Sequence, residues 1–173
     1  PKKQVYVETI ELQPIDPQTN GPQLFYGLRY HTHVVKPEQV KTYHDQVGYW
    51  LWEPATGAII HTLTIPRGQT AMAVGQASAD ATSFELVATR GQETFGICSN
   101  PFLEYAFKTV EFRIKVTINS DGTWSYDEDT VLMDRVFRLN CPLVDMSPIA
   151  IEPDFTRKYL ESSNRDALVK RIE

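Results

Sequence analysis

Cysteine is nearly absent. Cys98 and Cys141 are the only two in 173 residues, too few for a disulfide framework or a cysteine-built metal site, so two reduced thiols in a cytoplasmic protein are expected. Basic charge is also short. Seventeen lysines and arginines stand against 22 carboxylates, for a net charge of −5, and no local basic patch appears, so no nucleic-acid partner is expected. No run of about 18 apolar residues occurs, so neither a transmembrane helix nor a membrane partner is expected. The start, PKKQVYVE, lacks the continuous apolar core of about 7–15 residues that a secretory signal needs. Pro1 either follows a removed methionine or stands after residues that are missing. A glycine-rich phosphate loop, HExxH, a nucleophile elbow and a CxxC pair are absent as well, so no catalytic residue and no metal ligand is assigned. With no repeat, low-complexity run or linker, residues 1–173 read as a single domain.

What is present is alternation. Aromatic residues make up 11% of the chain, a content that suits strands. From Leu24 to Val35, Leu24, Tyr26, Leu28, Tyr30, Thr32 and Val34 share one face. The stretch HDQVGYWLWEPATGAIIHTLTIPR, His44 to Arg67, reads as strand, turn and strand, with Pro54 and Gly57 in the turn. His44, Gln46, Gly48, Trp50 and Trp52 share one face of it, and Ile59, His61, Leu63 and Ile65 share one face of the return. Lys108 to Ile118 alternates strictly, and Asp121-Gly122 turns the chain into Thr123 to Met133. Weaker strands are expected at Lys3–Leu12 with a bulge near Glu8–Thr9, at Gly68–Gln76 broken by Gly75, over SFELVATRG, and at Gln92–Cys98. Pro14 to Gln23, with three prolines, reads as a loop. Phe102, Tyr105 and Ala106 fit one helical turn.

After Asp134 the period is lost. Residues 134–173 read as an extended wrapping segment, then a helix from Phe155 to Ile172 capped by Asp154. Short strands with turns every 8–12 residues predict an all-β fold. The expected form is an antiparallel up-and-down β-barrel of about ten strands, with a partly helical C-terminal extension.

Several residue sets could carry chemistry. His31 and His33 share a strand face, as two metal ligands would, but no third ligand follows by spacing, and surface or rim histidines are the plainer reading. His44 and His61 lie on neighbouring strands and could both face a pocket or pair in a polar rim. Asp127 and Asp129 share a face and could do acid–base work, although a solvated strand end explains them as well. Tyr26, Tyr30, Trp50 and Trp52 would suit a flat apolar ligand and would equally make an ordinary β core.

The stretches LFYGLRY (24–30), YHDQVGYWLWEPATG (43–57), IPRGQT (65–70), ATSFEL (81–86), TFGICSNPFL (94–103) and FKTVEF…TINSDGTWSYDEDTVL (107–132) resemble, in the same order and at similar spacing, the nitrobindin-like β-barrels. These are haem-binding proteins related in fold to fatty-acid-binding proteins. The resemblance spans roughly Val5 to Leu132. It implies a closed barrel with ferric haem in a shallow site at one mouth, and nitric oxide chemistry or peroxynitrite isomerisation.

Three departures stand out. The family's opening Gly-x-Trp segment has no match before Val5. Its C-terminal haem-ligand histidine aligns with Ser162, in SSNRDALVKR, and serine is not a useful axial ligand. The segment from Val136 to Arg157 has no counterpart in the family pattern. His44, after Tyr43, matches the family histidine across the cavity from the iron. The expected ligand residues are therefore Tyr43, His44, Trp50, Trp52 and Tyr26, around a small apolar or planar ligand that could be haem. The alternatives are a haem-free carrier, or an interaction module whose C-terminal segment makes a homodimer.

Overall fold

The computed structural model describes residues 4–133 and 135–145, without the side chains of 139–145. In chain order the elements are β1 (Val7–Asn20), β2 (Gln23–Val35), β3 (Thr42–Glu53), β4 (Ala58–Ile65), β5 (Gln69–Gln76), β6 (Ser83–Thr89), β7 (Ile97–Ser99), α1 (Pro101–Ala106), β8 (Thr109–Ile118), β9 (Thr123–Leu132) and β10 (Val136–Asp145). All ten strands join one antiparallel sheet in the order β1-β2-β3-β4-β5-β6-β8-β9-β10, with β7 set beside β5. This is the all-β meander that the alternation predicts.

The sheet curls. The Tyr126 hydroxyl of β9 donates to the Glu8 carboxylate of β1 at 2.7 and 2.8 Å, so the two ends of the strand order face each other across the concave side. Among the described residues β1 and β10 do not pair, and the curl stops short of a hydrogen-bonded ring. The concave side holds the core: Ile59, Leu63, Ala71, Ala73, Leu86, Ala88, Phe112, Ile114, Val116 and Trp124 are buried together. These are the inward members of each alternation, and their burial is the main force holding the curl.

Two glycines set how closely the strands approach. A Cβ on Gly48 would lie 1.9 Å from the Thr62 carbonyl oxygen, and one on Gly75 would lie 2.0 Å from that of Glu85. Gly75 therefore does not break β5; it lets β6 come close.

Other boundaries differ from expectation. Pro14 to Gln23 is not a loop: β1 continues through Pro14 and Pro17 to Asn20 and pairs with β2. Proline is tolerated because, among the described residues, β1 borders only β2, leaving one side of its backbone without a ladder partner there. The bulge lies between Ile15 and Gln18 rather than near Glu8–Thr9. The strand expected at Gln92–Cys98 shrinks to Ile97–Ser99, because Phe95 takes a positive φ of 54° just before it. Part of the expected wrapping segment, Val136–Asp145, is extended and ladders onto β9. The expected helix Phe155–Ile172 lies outside the described residues.

Candidate functional site

The concave face carries a polar chain through its apolar lining. Tyr30 lies opposite Gly48 on β3. Because Gly48 has no side chain, the Tyr30 ring passes over it, its Cε1 3.0 Å from where a Cβ would stand, and reaches His61 on β4. The Tyr30 hydroxyl meets His61 Nε2 at 2.7 Å and Gln46 Nε2 at 2.7 Å, and Gln46 Oε1 meets His44 Nε2 at 3.2 Å. The indole of Trp50 stacks on the His61 ring at 3.9 Å and 8°. Four inward positions on three consecutive strands thus form one line, His44–Gln46–Tyr30–His61.

The direction of donation follows from what each group can do. Gln46 spends an N–H on Tyr30, so its carbonyl oxygen faces His44 and His44 Nε2 carries the proton. His44 Nδ1 is then the nitrogen with a lone pair to offer. Burial lowers the His61 pKa to about 3, so this ring is neutral at ordinary pH. Burial also pushes the Tyr30 phenol well above its usual value, with the Gln46 bond opposing. His61 Nδ1 is buried without a hydrogen-bond partner among the described residues.

A second polar group lies across the concavity. Glu8 accepts from Tyr126, and beside it Glu128 is raised to about 8, first by burial and then by the charges of Glu8 and Asp129. A carboxyl in that position holds its proton near neutral pH. The sequence singled out the Asp127/Asp129 face, whereas the inward carboxyl is Glu128. The available signal was that Glu128 is the one charged residue in the inward series Trp124, Tyr126, Thr130, Leu132. Asp129 instead faces outward and takes both arms of Arg138, at 2.7 and 3.0 Å.

The five expected ligand residues do not converge. His44 is half-buried at one end of β3, beside an exposed Tyr43 that stacks on Tyr6 at 4.6 Å. Trp52 lies at the other end, eight residues on, and a strand rises about 3.4 Å per residue, so roughly 27 Å separates them. There its indole donates to the Ala77 carbonyl at 3.0 Å. Tyr26, paired with Trp52, is half-exposed at that same far end. Trp50 lies between, against His61. His44 and His61 do share the concave face, as one reading had it, but Gln46 and Tyr30 connect them. His31 and His33 are on the convex face, where His31 meets Asp45 at 2.9 Å and His33 meets Thr42 at 3.1 Å. A concavity of about 810 Å³ lies on that outer side, beside Gly48 and bordered by Arg29, Tyr49 and Thr62. Tyr30, at the centre of the polar chain, is among the residues that line it.

These placements test the site against haem. The buried His61 is enclosed by Trp50 and Tyr30 and offers no approach to a metal. His44, at the mouth, has the right donor and partial exposure. Among the described residues, one inward imidazole therefore fits an axial role.

A family model described as "THAP4-like, heme-binding beta-barrel domain" matches residues 2–139. Among solved structures, the crystal structure of Rv2717c from M. tuberculosis aligns with a TM-score of 0.55 at 19% identity, covering 79% of this chain and 75% of that one. At that identity the likeness speaks for the fold. No curated protein matches significantly.

Proposed function

Since the chain belongs to the THAP4-like, heme-binding β-barrel family, we propose that it binds a small planar ligand, haem first among candidates, at the strand-end mouth beside His44. The observation that carries this reading is the oriented chain His44–Gln46–Tyr30–His61. It holds the His44 ring by Nε2–H and leaves Nδ1 for a Lewis acid. The core fills much of the concave side, so a ligand sits at the mouth rather than deep inside.

Haem, when bound, would supply a ferric centre able to take nitric oxide or a peroxide-type oxidant. The protein's own part is to present the imidazole, to fix its tautomer through Gln46, and to keep Glu128 protonated nearby. Serine, which the resemblance sets at the family's usual ligand position as Ser162, is not a useful axial ligand, so the axial role is assigned to His44.

Hemin titration followed by absorbance tests this. A saturable Soret band at one equivalent is expected. His44→Ala should weaken binding by about tenfold or more, equivalent to at least about 1.4 kcal/mol, while His33→Ala leaves it unchanged. No Soret band, or an unaltered titration for His44→Ala, would overturn the assignment.

A further inference from the structure

The two ends of the curled sheet differ in composition. At one end lie the turns Gly21–Pro22, Pro54–Gly57, Ala77–Thr82 and Asn119–Gly122. Together with Glu53 just before one of them, these turns carry Asp80 and Asp121 and, among the described turn residues, no lysine or arginine. At the other end lie the β2–β3 loop, the β4–β5 turn, α1 and the exit from β9. This end exposes large apolar side chains: Val40 is 98% exposed, Tyr105 92%, Met133 78% and Phe102 65%, with Phe107 and Tyr43 beside them. Lys36, Lys41, Arg67 and Lys108 are at the same end. Of the described carboxylates there, Glu104 is paired with Arg90, Asp45 with His31 and Glu111 with Arg113, leaving Glu38 and Glu93 in the loops.

These side chains belong to one connected rim. Lys36 Nζ lies over the Tyr43 ring, 5.5 Å from its centre. Arg67 donates to the Tyr43 carbonyl at 3.0 Å, and its own carbonyl accepts from Asn100, the N-cap of α1, at 2.7 Å. Met133 N donates to the Lys108 carbonyl at 2.9 Å. The helix itself has no buried residue, so core packing does not explain its aromatic content. His44, at the mouth, adjoins Tyr43 in this rim.

We propose that this rim is a peripheral docking surface for an anionic lipid bilayer, the mouth of the concavity facing the membrane. Aromatic residues favour the bilayer interface, because their rings enter the headgroup layer without requiring a span. Lysines and arginines beside them are drawn to anionic headgroups, while the acidic far end is repelled. An apolar surface alone would serve any protein partner; the ring of cations around exposed aromatics selects an anionic lipid surface. Among the described residues no helix is long and apolar enough to cross a membrane, and docking on one needs none. A planar apolar ligand would then pass between bilayer and mouth without crossing open water. The surface argument does not depend on what the mouth binds.

Vesicle flotation of the full chain tests it, in phosphatidylcholine alone and with about one third phosphatidylserine. Binding is expected only with the anionic lipid, and should fall by about tenfold or more in about 0.5 M salt. The double variant Phe102→Ser with Tyr105→Ser, and separately Lys41→Glu with Lys108→Glu, should each lower it at least severalfold. Asp80→Lys at the far end should leave it intact. All these sites except Lys108 are exposed, and an unchanged thermal melt confirms folding. Absence of binding to anionic vesicles overturns the proposal, as does binding indifferent to both rim variants. A concentration-dependent dimer that the rim variants abolish, without vesicle binding, would assign the surface to a second copy instead. Hemin absorbance reports the mouth and flotation the rim, so the two proposals fail separately.

Discussion

At the scale of single residues, the concave face sets two titrating groups against each other. His61 has its pKa lowered by burial to about 3, against about 6.5 in an unfolded chain. The unfolded state therefore binds more protons between those values, and the stability tied to neutral His61, complete above about 6.5, is lost as pH falls toward 3. Glu128 works the other way. Its pKa is raised to about 8 by burial and by Glu8, so the folded state holds the extra proton. That stability is complete below about 4.5 and is lost as pH rises through 8. Thermal melts across pH check both signs. Glu128→Gln should gain on the native protein steadily from pH 5 to pH 8. His61→Gln should be less stable at pH 7, having lost the Trp50 stack, yet flatter between pH 6.5 and 4. A Glu128→Gln curve parallel to the native one would contradict the assignment. The face of His61 was readable here, since alternation set it with Ile59 and Leu63, both in the core. The pairing of Tyr30 with His61 was not. It depends on a ring crossing a glycine of the neighbouring strand to reach a histidine two strands away, and single-strand periodicity carries no information about that.

At the scale of elements, strand contact depends on bare backbone. Gly48→Ala puts a methyl 1.9 Å from the Thr62 carbonyl oxygen, so β3 and β4 must part there. A loss of about 3 kcal/mol is expected in urea unfolding, together with loss of the Tyr30–His61 bond. A loss near zero would show that the strands are not that close. At α1, Asn100 accepts from Leu103 N at 3.0 Å and donates to the Arg67 carbonyl. Asn100→Ala should cost about 1 kcal/mol through the cap and loosen the β4–β5 turn, which limited proteolysis would detect. The central strands were legible because each has one buried face and hence a strict period. β1 was not, because its prolines read as a loop until the sheet shows it to be an edge. The short β7 was overdrawn, since a non-glycine residue at positive φ, Phe95, gives no warning in sequence.

At the scale of the whole molecule, a ten-strand antiparallel curl was legible from hairpin spacing, and the family from ordered motifs. The distribution of charge and aromatics between the two ends was not, because it comes from turns far apart in the chain that only the meander brings together. The mouth with His44, the aromatic rim and the acidic far end give the molecule an axis, and the proposed ligand site lies at one end of it. The most direct test is an indole N–H NMR spectrum of the full chain titrated with a diamagnetic metalloporphyrin. Trp50, Trp52 and Trp124 give one signal each. Trp50, stacked on the last member of the chain that starts at His44, should shift with saturation at one equivalent. Trp52, tied to Ala77 at the far end, should stay in place. If Trp52 moves and Trp50 does not, or if none moves, the ligand is not at the His44 mouth and the account fails.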